Sequence, residues 1–222
     1  MKPINLFVGT DEREQIGLHV FCSSVWRHAS VPVSITPISH KALSDGTNAF
    51  TLSRFLVPFM CRYNGMAIWA DGADMLCMTD IAELAELYDP FKAVQVVKHD
   101  YETKHPVKYL GQKNYQYPMK NWSSLMIMNC SHFSWRNIKP ESIADMPGSE
   151  LHRFNFMKPD QIGSLPIEWN WLDEFGPNES AKIIHATLGI PVWKPYSDWW
   201  YADMWRKELK TLNSFQEWGG IK

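Results

Sequence analysis

Two carboxylates lie close together in the first half of the chain, at Asp71 and Asp74. They follow an apolar run, residues 66–70, that is too short for a helix and predicts a buried strand. Acids directly after a strand of an α/β protein stand at its carboxyl end, where such folds bind ligands. Two hard oxygen donors at this spacing can hold a divalent cation that meets phosphate. The Asp-Gly pair is also an ordinary turn signal, so this segment alone leaves a metal site and a plain turn open.

A histidine at the end of another predicted strand offers a further ligand. His185 lies in the apolar stretch 182–186, and a turn rich in glycine and proline follows. A lone histidine is usually not a ligand, but this one and the acidic turn occupy equivalent strand ends. Two carboxylates and one imidazole make a mixed oxygen and nitrogen site that suits Mn²⁺ or a similar ion. Gly189, within the turn, would let the backbone approach a phosphate closely.

The start of the chain predicts the elements that position these residues. Residues 4–9 and 33–38 are typical of buried strands, and the pattern between them predicts a helix. The helix is expected to bury Ile16, Val20 and Val25. Strand, helix and strand in this short span form a βαβ unit, which implies a parallel sheet with a right-handed crossover.

The remaining pattern continues the alternation of strands and helices. A helix is predicted over residues 51–63, with Phe55, Phe59 and Met60 facing inward. Further predicted elements are strands at 93–98, 125–129 and 182–186 and helices at 80–87 and 198–212. Residues 99–120 are polar and aromatic with no clean period, which is typical of a functional loop or lid.

The composition narrows the class of protein. The 222 residues are 45% hydrophobic and 21% charged, which predicts one domain over residues 1–222 with a sizeable core. A formal net charge of −2 with no basic block argues against a nucleic-acid binder. No apolar run approaches the ~18 residues of a transmembrane helix, and the start lacks a signal peptide. Four cysteines far apart in sequence fit free thiols, so a soluble cytoplasmic protein is expected.

Three more residues have both a structural and a functional interpretation. Thr10 and Asp11 follow the first strand, and either can cap the next helix, a role that accounts for both residue types. Arg54 lies on the predicted 51–63 helix beside the central strand. It can be a solvated or ion-paired arginine, or it can offer a bidentate fork to a diphosphate.

The ordered set of motifs resembles the GT-A glycosyltransferases related to glycosyltransferase family 8. The matching segments, in the family's order, are FVGTDERE, LSRFLVP, IWADGADMLCMTDIAEL, KNWSSLMIMN, LPIEWNW and HATLGIPVW. They span about residues 4–193, and within this class the chain also resembles a group of small bacterial glycosyltransferases with a KNWSS motif. The resemblance implies a GT-A type fold, a Rossmann-like, mostly parallel sheet flanked by helices.

The resemblance implies a metal site at the central turn. Asp71 and Asp74 match the family's Asp-x-Asp acids, with Asp74 the firmer metal ligand, and His185 matches the third protein ligand. The spacing departs from the family, because two residues separate the acids here instead of one. Gly72 can let the turn tighten so that both acids still converge, but the departure bears chiefly on Asp71.

The resemblance also implies which residues hold and act on a nucleotide-sugar donor. Those expected to contact the donor are Gly9, Thr10, Asp11, Arg54, Asn121, Ser123, Ser124, Gly189 and Lys194. Within this set, residues 9–11 would face the base and ribose, and residues 121–124 would line the sugar pocket. Glu150, or as second choice His152, would be the catalytic residue beside the reacting sugar. The family usually has a lysine just before the final tryptophan, where this chain has the apolar Val192. Lys194, just after that tryptophan, is included as the lysine that could contact phosphate in its place.

These implied roles predict a metal-dependent hexosyltransferase. It would move a sugar from a nucleotide-sugar, UDP-linked by preference, to a hydroxyl of a glycan or other acceptor, with retention as the analogy-based expectation. Mn²⁺ or Mg²⁺ would act as a Lewis acid and neutralise charge on the departing diphosphate. The sequence leaves the donor sugar, the acceptor and the oligomeric state open.

Two alternatives come from other classes of protein. A catalytically silent carbohydrate-binding protein on the same fold is suggested by the altered acidic spacing, and it would need neither metal nor nucleotide. A nucleotidyltransferase also uses acids, Mg²⁺ and a parallel sheet. That class normally shows a basic glycine-rich loop after the first strand, whereas VGTDERE is acidic at this place.

Overall fold

The first strand, helix and second strand form the βαβ unit that the sequence predicts. The computed structural model describes residues 3–39, 50–108 and 111–213. In it β1 spans Ile4–Gly9, α1 spans Gln15–His28 and β2 spans Val33–Ile38. β1 and β2 pair in parallel over their whole length.

The buried face of α1 differs from the predicted one at its first turn. Val20 and Val25 are fully buried as expected, but Ile16 is 39% exposed. Gly17 lies directly against the central turn, since an added Cβ would lie 1.9 Å from the Ala73 carbonyl oxygen. Gly17 is therefore buried in this contact, whereas Ile16 lies outside the buried face.

The prediction of one helix over residues 51–63 was wrong. The segment forms a 3₁₀ turn at Ser53–Leu56 and then the short α2 at Val57–Met60. Phe55 is buried, but Phe59 and Met60 are 50% and 43% exposed. Pro58 lies in the first turn of α2, where the missing N–H costs no helical hydrogen bond, so it begins a helix and does not bend one.

Six strands form the central sheet. Besides β1 and β2, they are β3 at Met66–Ala70, β5 at Val94–Val96, β8 at Leu125–Asn129 and β9 at Ile162–Ser164. Their order across the sheet is β2-β1-β3-β8-β5-β9. Five strands run in one direction, and β8 is antiparallel to both of its neighbours. The sheet is therefore mostly parallel, as predicted. Strand β9 has no signal in the sequence, because its three residues include a glycine and form no apolar run.

The central strand β3 is buried on both faces. Trp69 packs in one core with Phe55, and Ile68 packs in a second core with Phe21 of α1. Such two-sided burial is why β3 is a continuous apolar run and does not alternate.

A second, three-stranded sheet carries the histidine of the predicted metal site. It comprises β4 at Met75–Cys77, β10 at Trp171–Leu172 and β11 at Ile183–His185, in the order β10-β11-β4. β11 and β4 are antiparallel, and His185 lies opposite Met75. His185 and the acidic turn each follow or end a strand, as predicted, but the two strands belong to different sheets, and antiparallel pairing across the small sheet brings His185 and Asp74 together.

Short elements complete the described chain. The remaining α-helices in the described ranges are α3 at Ile81–Ala85, α4 at Gly148–His152 and α5 at Ala202–Asn213. A two-stranded antiparallel ribbon pairs β6 at Val107–Lys108 with β7 at Gln112–Lys113. Asp80 caps α3 as predicted, because its side chain accepts from the Ala82 backbone N–H at 2.9 Å. The helices predicted at 80–87 and 198–212 are shorter, and Trp199 and Trp200 precede α5. None of the described helices is long and apolar enough to cross a membrane.

Candidate functional site

A cavity of about 780 Å³ opens where the central turn, β11 and the segment before β8 meet. Of the residues predicted from the sequence, those that line it are Arg54, Asp71, Asp74, Asn121, Ser123, Ser124, His152 and His185. The volume falls within the range of small-molecule and cofactor sites, about 300–1,000 Å³. Side chains from six separate segments of the chain, including the β6–β7 ribbon, therefore form one concave site.

Asp74 and His185 form a polar pair in the wall of this cavity. His185 Nε2 lies 3.4 Å from Asp74 Oδ2, and the His185 side chain is only 3% exposed. The Ala186 N–H donates to the Asp74 carbonyl oxygen at 2.7 Å, which fixes the two backbones side by side. Asp74 Oδ1 is buried and has no hydrogen-bond partner among the described residues. A buried carboxylate oxygen without a donor is costly, so this atom points to a missing cation or donor.

Asn170 orients the His185 ring. Its amide Nδ2 donates to Ser124 Oγ at 2.8 Å and to the Asn121 carbonyl at 3.3 Å. The Asn170 Oδ1 must then face His185 Nδ1, which lies 2.9 Å away and donates to it. With Nδ1 protonated, Nε2 faces the Asp74 carboxylate and needs either a proton or a metal ion between them.

The charges around His185 favour the proton when no cation is bound. Burial lowers the pKa of His185, but the carboxylates of Asp74, Asp71 and Asp173 together outweigh it, so that its pKa is raised. A divalent cation between Asp74 and His185 would replace this proton, as metal ligation by imidazole requires.

Asp71 is engaged differently from Asp74. Arg54 Nη1 lies 2.8 Å from Asp71 Oδ1, and the indole of Trp69 donates to the same oxygen at 3.0 Å. Burial raises the pKa of the Asp71 carboxyl group, while the Arg54 guanidinium acts in the opposite direction. Asp71 is therefore held by protein partners, which agrees with the longer acidic spacing.

Arg54 is a positioning residue in this structure. It is 4% exposed, its Nε donates to the Thr51 carbonyl at 2.9 Å, and its Nη1 also donates to the Ser123 carbonyl at 2.7 Å. Its guanidinium lies 5.4 Å from the ring centroid of Trp69. The resemblance implied that Arg54 contacts the donor. In the structure, Nη1 of Arg54 contacts Asp71 and Ser123 of the protein.

Ser123 and His152 form a second polar pair in the cavity wall. Ser123 Oγ lies 2.8 Å from His152 Nδ1, and the imidazole packs edge-on against Phe55 at a centroid distance of 5.4 Å. Glu150, on the same short helix α4, is exposed and does not line the cavity. The structure therefore brings His152 into the cavity and leaves Glu150 outside it, and a catalytic role for either residue stays a prediction.

Five predicted donor contacts do not line the cavity, namely Gly9, Thr10, Asp11, Gly189 and Lys194. Asp11 accepts from the Arg13 backbone N–H at 3.0 Å and pairs with its side chain at 2.8 Å, which is the capping interpretation. An added Cβ on Gly9 would lie 2.3 Å from the Phe50 ring, a residue of the cavity wall. Lys194 is exposed. Roles in donor binding for these residues stay predictions.

The described residues do not build a complete metal site by themselves. No three His, Cys, Asp or Glu side chains in residues 3–39, 50–108 and 111–213 converge closely enough to hold an ion. Asp74 and His185 nevertheless fit a divalent cation, because one has an orphaned oxygen and the other an oriented Nε2. Such ions are commonly held by one or two protein ligands together with substrate phosphates. The residues fit a site that a nucleotide diphosphate completes.

Sequence reasoning missed two buried polar residues of the site. Asn170 is fully buried between tryptophans of LPIEWNW, and a polar residue inside an apolar motif was the available signal. Glu14 is 3% exposed, lines the cavity, and has its pKa raised to about 8 by burial and then by Asp74 and Asp11. Glu14 stands three residues after Asp11, which is the spacing of a capping box. The sequence pattern therefore indicates a helix cap and gives no sign that Glu14 lines the cavity.

Comparison with known proteins supports the fold assignment. No family model matches the chain. It is 35% identical to "Protein CDI" of Arabidopsis thaliana over 229 aligned positions, which cover 96% of this chain and 88% of that protein. The galactosyltransferase LgtC, solved with donor and acceptor sugar analogues, has a TM-score of 0.60 at 10% identity, covering 94% of this chain and 96% of LgtC.

Two further solved glycosyltransferases share the fold. GlyE of Streptococcus pneumoniae has a TM-score of 0.64 at 14% identity, covering 94% of this chain and 60% of GlyE. The bifunctional WbbM has a TM-score of 0.60 at 14% identity, covering 93% of this chain and 49% of WbbM. The chain therefore spans about half to two thirds of these two proteins. It belongs to the family of the Arabidopsis Protein CDI and has the GT-A glycosyltransferase fold.

Proposed function

We propose that the protein is a metal-dependent glycosyltransferase that moves a sugar from a UDP-linked nucleotide-sugar to a hydroxyl group of an acceptor. The observation that carries the proposal is the pair Asp74 and His185, with its orphaned carboxylate oxygen and oriented imidazole nitrogen. The pair lies in a cavity large enough for a nucleotide-sugar, in a fold shared with solved glycosyltransferases. A metal ion with two protein ligands leaves coordination positions for a diphosphate.

The chain's own residues divide the work of binding and orientation. Mn²⁺ held by Asp74 and His185 would supply Lewis acidity that neutralises charge on the leaving diphosphate. Asn170 keeps the His185 ring in the tautomer and orientation that ligation needs. Arg54 ties Asp71 to the Ser123 backbone, so that the central turn and the segment before β8 hold a fixed distance. Such preorganisation lowers the cost of reaching the transition state.

The sugar would occupy the part of the cavity that Ser123, Ser124 and His152 line. The Ser123 and His152 pair offers a hydroxyl and an imidazole that can hydrogen-bond sugar hydroxyls or the acceptor's hydroxyl. Tyr115 and Tyr117, after the β6–β7 ribbon, extend the wall and limit the access of water. Retention of the anomeric configuration is proposed only by analogy to glycosyltransferase family 8.

Titration of UDP into the purified protein tests the proposal. With Mn²⁺ present, UDP should bind and raise the melting temperature, since binding at a hundred times the dissociation constant adds about 2.7 kcal/mol of stability. EDTA should abolish the shift, and slow Mn²⁺-dependent release of UDP from UDP-glucose or UDP-galactose should show that the site is active. Equal shifts with and without metal would contradict the proposal.

A silent carbohydrate-binding protein remains the second candidate. The observation that favours it is Asp71, which is engaged by Arg54 and Trp69 and leaves two of the three predicted ligands for a metal. Binding of glycans without metal or nucleotide, together with no turnover of any nucleotide-sugar, would support this candidate. Mn²⁺-dependent turnover would exclude it.

A further inference from the structure

The acidic and the basic residues that line the cavity come from different segments of the chain. The carboxylates that line it come from the start of α1 and the central turn. The lining residues from 108, 111–120 and 148–153 include four cations and no carboxylate. We name these four cations the basic wall, and they are Lys108, Lys113, Lys120 and Arg153. The whole chain has a net charge of −2, so this local excess of positive charge is a property of the site and not of the protein.

Lys120 is the most buried member of the basic wall. It is 7% exposed, and its Nζ donates to the neutral Asn114 Oδ1 at 2.6 Å. The rings of Tyr101 and Tyr117 lie 5.9 and 6.0 Å from Nζ. No carboxylate of the described chain comes within ion-pair distance of it. Burial lowers the pKa of Lys120, and the Glu174 carboxylate, which forms no ion pair with it, acts in the opposite direction. A buried ammonium without a direct ion pair is unfavourable, so an anionic ligand would stabilise it.

Arg153 offers the second unmatched donor. Its Nε is buried and has no hydrogen-bond partner within the described ranges, and it forms no ion pair there. A guanidinium presents a rigid fork that matches a carboxylate or a phosphate group. Two cations of the wall therefore form no ion pair with any carboxylate of the described chain.

The donor alone does not account for this charge. The diphosphate of a nucleotide-sugar carries a charge equal and opposite to that of a divalent cation, so the proposed complex, with the Asp74 carboxylate counted, carries about one negative charge. The two positive charges of Lys120 and Arg153 exceed that charge, which leaves positive charge in the basic wall for another group. Tyr115, 66% exposed beside the wall, presents an aromatic face of the kind that packs against sugar rings.

We propose that the basic wall is the acceptor subsite and that the acceptor is a saccharide carrying a phosphate or carboxylate group. This inference rests on the proposed glycosyl transfer, because it assigns the second substrate of that reaction. Lys120 and Arg153 bind the anionic group, and Tyr115 packs against the ring. A neutral saccharide of the same shape lacks the counter-ion that both cations need and binds more weakly.

Ligand-observed NMR titrations with three matched probes test the inference. Glucose 6-phosphate, glucuronate and glucose are titrated into the full-length protein saturated with UDP and Mn²⁺. We expect one or both anionic sugars to bind at least about tenfold more tightly than glucose. The phosphate and carboxylate arms show which group the site prefers.

Variants locate the binding site. Arg153→Gln and Lys120→Gln should each weaken the preferred anionic sugar by about tenfold and leave glucose unchanged. Lys139→Gln is the matched control, because Lys139 is exposed and does not line the cavity. Arg153 is only half-buried, so its variant keeps the test valid if Lys120→Gln fails to fold.

Three outcomes would overturn the inference. These are equal affinity for glucose and both anionic sugars, unchanged affinity in Arg153→Gln, and competitive displacement of the anionic sugar by UDP with Mn²⁺. The last would assign the wall to the donor diphosphate. The same titration without nucleotide and in EDTA distinguishes failure of this inference from failure of the proposed function. Under these conditions anionic sugars should still bind to the basic wall, even if the protein does not bind UDP.

Discussion

Arg54 and Asp71 form an ion pair of 2.8 Å in the wall of the cavity, with side-chain exposures of 5% and 14%. Asp74, three residues further on, lies 3.4 Å from His185 Nε2 through Oδ2, and its Oδ1 is buried without a hydrogen bond among the described residues. The two acids that look alike in the sequence therefore have different environments. Asp71 is bound by the protein, and Asp74 is available to a ligand.

Substitution of the two acids should separate these roles. Asp74→Asn should abolish Mn²⁺-dependent UDP binding and cost less stability than Asp71→Asn, because His185 can release its proton when the Asp74 charge is removed, whereas Arg54 stays charged. Asp71→Asn should retain part of the binding but lower the free energy of unfolding by about 3 kcal/mol, since it leaves the Arg54 charge buried and unpaired. Calorimetry and urea denaturation measure the two effects. Loss of stability in Asp74→Asn and not in Asp71→Asn would refute the division.

Removal of the residue that orients His185 should weaken metal binding from a distance. Asn170→Ala should reduce Mn²⁺ affinity by about ten- to a hundredfold, as is usual when the hydrogen-bond partner of a ligating histidine is lost. Asn137→Ala serves as the control, because Asn137 is exposed and does not line the cavity. Equal Mn²⁺ affinities in these two variants, measured with UDP present, would mean that Asn170 is only a packing residue.

Two residues of α4 should differ in their effect on turnover. His152→Ala should keep UDP binding with Mn²⁺ and lower the release of UDP from the donor by up to about a hundredfold, because the Ser123 hydroxyl loses its partner and its position. Glu150→Gln should change turnover little, since Glu150 is exposed outside the cavity. A large effect of Glu150→Gln with none for His152→Ala would restore the order that the sequence predicted.

Glu14 should make the metal-free protein less stable as the pH rises. Its pKa is raised from 4.5 to about 8 in the folded protein, first by burial and then by Asp74. Between these values the folded state keeps a proton that the unfolded state has lost, so the contribution of Glu14 is full below pH 4.5 and is lost as the pH rises through 8.

Denaturation curves at several pH values check this contribution. Over that interval the wild type should lose up to about 1.4 kcal/mol of stability per pH unit through Glu14. Glu14→Gln, which cannot ionise, should show a flatter dependence of unfolding free energy on pH and be the more stable protein above pH 8. Parallel curves for wild type and variant would contradict the assignment.

The sequence by itself determined the features that depend on neighbours along the chain. The boundaries of β1, β2 and β3 follow from apolar runs, and the cap at Asp80 follows from the side chain's reach to the next turn. The ordered motifs also indicated the GT-A fold, which the solved relatives support. These features are local, because strand periodicity and caps need only a few adjacent residues.

Only the tertiary structure decided how distant segments meet. Asp74 and His185 are neighbours because β4 and β11 pair antiparallel in a small sheet, and no local pattern specifies that pairing. The reversed direction of β8 and the placing of His152, but not Glu150, in the cavity have the same origin. Strand partners and side-chain directions depend on the packing of the whole chain, so residues of identical type can become a ligand, a structural ion pair or an exposed charge.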